Sequence, residues 1–135
     1  MNYKIIDIEG IGAAYGEKLG AADIPTTASL LDACASPKGR QALASKTGIS
    51  EKLLLKWANM ADLMRISGVG SEYSELLEAA GVDTVKELRN RRADNLAAKM
   101  AEVNELKKLT RSVPSVKSVA DWIEQAKTLD PKITY

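Results

Sequence analysis

Apolar residues recur at steps of three and four along most of the chain, and no stretch sustains the apolar–polar alternation of a half-buried strand. Residues 50–64 place Leu53, Trp57, Met60 and Met64 on one helical face, continuing from Ile49, with Ser50 ahead of the run as an N-cap. Residues 92–109 repeat the stripe through Leu96, Met100, Val103 and Leu106, and residues 116–127 through Val116, Val119, Ile123 and Ala126. Thr84 followed by Glu87 spells a capping box for a short helix over 85–90. Pro25, Pro37 and Pro114 fall at the breaks, where a missing N–H costs least. The pattern predicts an all-α fold.

The pattern also repeats. Displaced by 58 residues, Ile8, Gly10, Gly12 and Tyr15 fall on Ile66, Gly68, Gly70 and Tyr73. Glu17, Leu19, Ala21 and Ala22 fall on Glu75, Leu77, Ala79 and Ala80, and Ile24, Thr26 and Leu30 on Val82, Thr84 and Leu88. Looser copies flank them: "ALASKTGIS" resembles "NLAAKMAEVN", and "LLKWANMADL" resembles "VADWIEQAKTL", which sets Trp57 opposite Trp122. Aligning those flanks requires an insertion around "NELKKLTRSVPS". The expected organisation is one compact domain, residues 1–135, made of repeats at about 5–62 and 63–129 with a helical C-terminal extension.

Composition narrows the functions. The chain has 135 residues, 45% hydrophobic and 27% charged, enough to bury a core and unlike a disordered segment. Absence of histidine excludes His-dependent triads, histidine general bases and most catalytic zinc sites. The single cysteine, Cys34, cannot close an internal disulfide, which fits a reducing cytoplasm, and it reads as a small buried apolar residue. No apolar run is long enough to span a bilayer, and the start lacks a signal peptide's features. Net charge is +1, unevenly spread: 8 Lys/Arg against 10 Asp/Glu in residues 1–81, and 11 against 8 in residues 82–135. Acidic side chains are dispersed, with only Asp7 and Glu9 close together beside the first glycine pair, so no catalytic or metal-binding set and no cofactor is expected.

The segments "IEGIGAAYGEKLGAADIPTTASLL" and "ISGVGSEYSELLEAAGVDTVKEL" resemble helix-hairpin-helix motifs: an apolar residue, any residue, Gly, an apolar residue, Gly, then a helix. The chain as a whole, including "ADWIEQAK", is similar to a bacterial helix-hairpin-helix domain family of unknown function. That resemblance implies duplicated hairpin units in a small SAM-like helical bundle, and nucleic-acid binding, most often of DNA, by backbone amides. The physical reason is general. Glycine permits a sharp turn, the apolar residue between the glycines (Ile11 or Val69) locks it inward, and the next helix presents unpaired N–H groups at its positive dipole end. A phosphate oxygen suits that place without any base being read.

The expected contacts are therefore Gly10, Ile11, Gly12, Ala13 and Ala14 with Lys18 one turn on, and Gly68, Val69, Gly70 and Ser71 in the second copy, where the serine adds a hydroxyl. Lys86, Arg89, Arg91 and Arg92 form a further basic group able to grip phosphates, although Asp83, Glu87 and Asp94 stand among them. DNA-binding members of the superfamily usually carry Lys or Arg after the second glycine, where this chain has Ala13 and Ser71, and Glu72, Glu75 and Glu78 follow the second turn. Glycosylase relatives expect a lysine after the hairpin and often four cysteines, both lacking here. The expectation is a non-enzymatic, sequence-nonspecific nucleic-acid binder, with a protein-interaction module as the alternative. Trp57 and Trp122 are expected in the core, and Tyr15 and Tyr73 against the preceding helix.

Overall fold

Hydroxyl side chains start five of the helices where the apolar stripes begin. Thr26, Ser36, Ser50, Thr84 and Ser115 each accept a hydrogen bond from the backbone N–H three residues on. A computed structural model describes residues 2–135 and contains eight α-helices in that range, preceded by a 3₁₀ turn at Ile5–Asp7. They are α1 (Ala13–Ala21), α2 (Thr27–Cys34), α3 (Pro37–Thr47), α4 (Glu51–Leu63), α5 (Ser71–Ala79), α6 (Val85–Leu88), α7 (Ala93–Lys107) and α8 (Val116–Thr128). The described residues hold no strand, only an isolated bridge between Lys4 and Thr26. The fold is an all-α small helical bundle.

The expected helices are found, with local corrections. α7 stops at Lys107 because Lys108 takes a left-handed conformation at φ 52°. Thr84 caps α6, but the Glu87 carboxylate accepts from the Asp83 N–H (3.3 Å) and not from Thr84, so the box is not closed there. A reciprocal box occurs instead at α2, where Thr26 and Ser29 satisfy each other's N–H groups. Two residues assigned to apolar stripes are exposed: Leu106 at 80% and Val116 at 51%. At about 100° per residue, Leu106 lies roughly 100° round from the centre of the Leu96–Met100–Val103 face. Val116 shares the face of Val119 but is the first residue of α8.

Buried side chains form two adjoining cores. The first runs from Ile5 through Leu19, Leu30, Leu54 and Trp57 to Met64, and the second from Leu63 through Val69, Leu77, Met100 and Trp122 to Ala126. Neighbouring residues at the end of α4 thus enter different cores. Packing within them is parallel: α2 and α3 lie on α4, and α6 and α7 lie on α8. Trp57 meets Tyr15 with ring centroids 5.1 Å apart, and Trp122 meets Tyr73 at 5.2 Å. The tyrosines therefore pack on tryptophans from α4 and α8. Tryptophan supplies a large apolar face that the shorter side chains near the turns cannot.

Polar groups tie the two cores together. Asp62, 1% exposed, holds Arg65 at 2.7 Å and accepts the Val85 N–H at 2.9 Å, capping α6 from the end of α4. Residues 130–135 run back over the first core. Ile133 packs on it, and Thr134 donates its N–H to the Ala35 carbonyl (2.7 Å). The buried Arg40 guanidinium donates to the carbonyls of Cys34 (2.9 Å) and Thr134 (2.8 Å).

Candidate nucleic-acid interface

Each Gly-x-Gly segment is a β-turn feeding a helix. The Ile11 N–H reaches the Ile8 carbonyl at 3.1 Å, and the Val69 N–H reaches the Ile66 carbonyl at 3.1 Å. The third residue of each turn is Gly10 at φ 94° or Gly68 at φ 96°, the positive angle that a type II turn demands and a side chain resists. Ile11 and Val69 are buried, as their position between the glycines predicts. Gly12 and Gly70 are the N-caps of α1 and α5, at φ −85° and −96°, ordinary extended backbone with open space where a Cβ would stand.

Equivalent hydrogen bonds continue past the turns. Ile24 donates to Leu19 and Val82 to Leu77, both at 2.9 Å, wrapping the ends of α1 and α5 around Asp23 (φ 69°) and Gly81 (φ 96°).

With glycine as N-cap, no side chain caps the first amides of α1 or α5. The helical ladder starts only with the Gly16 N–H to Gly12 (2.8 Å) and the Ser74 N–H to Gly70 (2.9 Å). Ala13 and Ala14 are exposed and carry only methyl groups, so the amide end of α1 opens to solvent. Lys18, exposed one turn further, holds its ammonium 6.0 Å from the Tyr15 ring centroid. Glu9 and Glu17 are exposed nearby in the chain.

The second turn is more enclosed. The Ser71 hydroxyl oxygen accepts the Glu9 N–H at 2.7 Å, which places the two glycine turns side by side and engages the hydroxyl expected to face phosphate. The Gln125 side chain clamps Ser67, accepting its N–H (2.9 Å) and donating to its carbonyl (3.1 Å). The segment between α7 and α8 lies beside the turn: Thr110, Arg111 and Ser112 line, with Gly68, Gly70 and Ser71, a cavity of about 380 Å³. Glu75 has its carboxyl pushed above the usual range, first by burial and then by the charges of Glu9, Glu78 and Glu72 against the relief of Lys56. That crowding of carboxylates opposes a phosphate at the second turn.

The remaining basic residues lie elsewhere. Arg91 points a guanidinium nitrogen to 3.9 Å from where a Cβ on Gly81 would stand, at the far end of α5 from the glycine turn. Nine helical residues separate those ends by about 13 Å. Lys86 is exposed on α6, Arg89 is half-buried, and exposed Arg92 pairs with Asp94 at 3.2 Å. Arg91 thus stands at the opposite end of α5 from the second turn. Sequence reasoning missed Arg111 and Gln125 beside the second turn. The length of the insertion was the only signal for the former.

The architecture defines a small all-helical domain with two glycine turns set side by side. The chain belongs to a family described as a domain of unknown function (DUF4332), whose model matches residues 9–129. No curated protein and no solved structure matches it. Among the described residues, no helix is long and apolar enough to cross a membrane, and no group of three or more acidic or thiol side chains is arranged to hold a metal ion.

Proposed function

We propose that the two halves are diverged copies of one helix-hairpin-helix unit and that the protein binds nucleic-acid backbone, DNA in the first instance, without sequence preference or catalysis. The observation that carries the reading is the difference between the turns. At the first, Gly12 leaves the amides of Ala13 and Ala14 uncapped and exposed, with Lys18 one turn on. At the second, the hydroxyl of Ser71 is engaged and carboxylates crowd the helix. Phosphate therefore binds at α1, and the Lys86, Arg89, Arg91 and Arg92 group supplies a separate, weaker contact. With a net charge of +1, affinity is micromolar or weaker and falls steeply with salt. We place this activity in the cytoplasm.

Fluorescence anisotropy of labelled duplex and single-stranded oligonucleotides, titrated across salt concentrations, tests it. Lys18→Glu should weaken binding equally for unrelated sequences, and Glu72→Lys should strengthen it. The crowded carboxylates at α5 favour a second reading, a protein-interaction module using the same fold. No binding at low salt, together with a partner that copurifies stoichiometrically, would replace the first reading by the second.

A further inference from the structure

Each glycine turn carries an amide that lies outside the turn's own hydrogen bond, on the residue before the left-handed glycine. In the second turn this residue is Ser67, and the Gln125 side chain of α8 accepts its N–H at 2.9 Å. In the first turn it is Glu9, and the acceptor is the Ser71 hydroxyl oxygen of α5, 2.7 Å away. The second turn is thus held from within its own unit, and the first from the other unit.

The repeat explains the exchange. With Trp57 set opposite Trp122, the first unit's counterpart of Gln125 is Met60, which is fully buried and has no amide. Displaced by 58 residues, Ser71 falls on Ala13, which has no hydroxyl to offer in return. The counterpart position on α4 therefore supplies no acceptor for Glu9, and the second unit supplies one.

We infer that Ser71 is a positioning residue for the first turn. By holding the Glu9 N–H it fixes how residues 8–12 enter α1, and so the direction in which the Ala13 and Ala14 amides face a phosphate. Its hydroxyl serves the neighbouring turn and not a phosphate at its own. The inference rests on the proposed binding of phosphate at α1. An unheld turn samples other orientations, and apparent affinity falls with the fraction of chains correctly set. Loss of one hydrogen bond of ordinary strength shifts that balance by about two- to tenfold.

Proline at position 9 separates this role from a direct contact. Glu9→Pro removes the donated N–H, and Ile8, at φ −70° and ψ 127°, already has the extended backbone that precedes proline. Position 9 is the second residue of the turn closed by Ile8 and Ile11, where proline is favoured, so the turn stays set without Ser71.

Anisotropy titrations of a labelled duplex compare the unaltered full chain, Lys18→Glu, Ser71→Ala, Glu9→Pro and the variant carrying both of the last two changes. Ser71→Ala should weaken binding by about two- to tenfold and move the Glu9 amide resonance upfield. In the Glu9→Pro chain the same alanine change should leave affinity unchanged. Equal losses in both backgrounds overturn the inference, because Ser71 then acts by another route. Unchanged affinity in Ser71→Ala, beside weakened binding in Lys18→Glu, overturns it and leaves phosphate at α1 standing. No binding by the unaltered chain overturns that reading, and this inference with it.

Discussion

Alanine replacement at the four turn glycines separates a conformational demand from an open position. Gly10 and Gly68 lie at φ 94° and 96°, where an L-residue is strained by about 1–2 kcal/mol. At Gly10 an added Cβ would stand 3.5 Å from Trp57 Nε1, ordinary contact, so strain alone sets the cost. At Gly68 it would stand 3.1 Å from Trp122 Nε1, and the indole is 4% exposed with little room to yield. Overpacking then raises the total to about 2–3 kcal/mol. Gly12 and Gly70 lie at negative φ with nothing within 4 Å of the added atom. There alanine caps the helix less well but restricts the unfolded chain, and the two effects nearly cancel, leaving about 0.5 kcal/mol or less. Urea denaturation followed by circular dichroism and tryptophan fluorescence measures all four. For a chain of this length the Gly10→Ala cost corresponds to a fall of roughly 4–8 °C in Tm. A Gly12→Ala variant as unstable as Gly10→Ala, or a neutral Gly68→Ala, would refute the assignment of the turn angles.

Other expectations follow from single residues. Asp23→Gly removes a side chain from a left-handed position (φ 69°) and should raise stability by about 0.5–1 kcal/mol in the same urea titration. Asp62→Ala removes the buried carboxylate that pairs with Arg65 and accepts the Val85 N–H, and should cost about 3 kcal/mol, seen as a lower urea midpoint. Burial pushes the Cys34 thiol from 9.0 up to about 11, against the pull of Arg40, so the native protein should resist iodoacetamide at pH 8 and label only on unfolding. Because that folded value lies above the unfolded one, the thiol's contribution to stability is complete below pH 9 and is lost as pH rises towards 11. Glu75 is raised in the same sense, so Glu75→Gln should stabilise the protein at pH 7 more than at pH 4, by thermal melts at both values.

How much of this was legible depended on how local each cause is. The helical stripes, the Ser50 and Thr84 caps and the burial of Trp57 and Trp122 follow from spacing and side-chain chemistry within one element, and they match the structure. The matched hydrogen bonds at Ile8–Ile11 and Ile66–Val69 follow from glycines at fixed offsets. Leu106 shows the limit, since periodicity gives a direction on a helix but not whether an element faces it. The candidate site was legible as two turns, made unequal by Glu72, Glu75 and Glu78 after the second, but the enclosure of that second turn was not. That enclosure comes from Glu9 and Gln125, which approach from 62 and 58 residues away along the chain, and from Arg111 in the segment between α7 and α8. Pairings of that range leave no periodic trace in a single sequence.

The return of residues 130–135 to the first core also orders events during synthesis. Arg40 emerges from the ribosome with α3, yet one of its guanidinium groups' carbonyl partners, on Thr134, is translated 94 residues later. At about 5–20 residues per second, the first four helices wait several seconds or more with that donor facing water. The first half can collapse during the wait, but a nascent chain stalled before Thr134 keeps a loosened end on α3. Limited proteolysis of ribosome-bound chains of increasing length should therefore show the segment around Arg40 become protected only after residues 130–135 have left the ribosome.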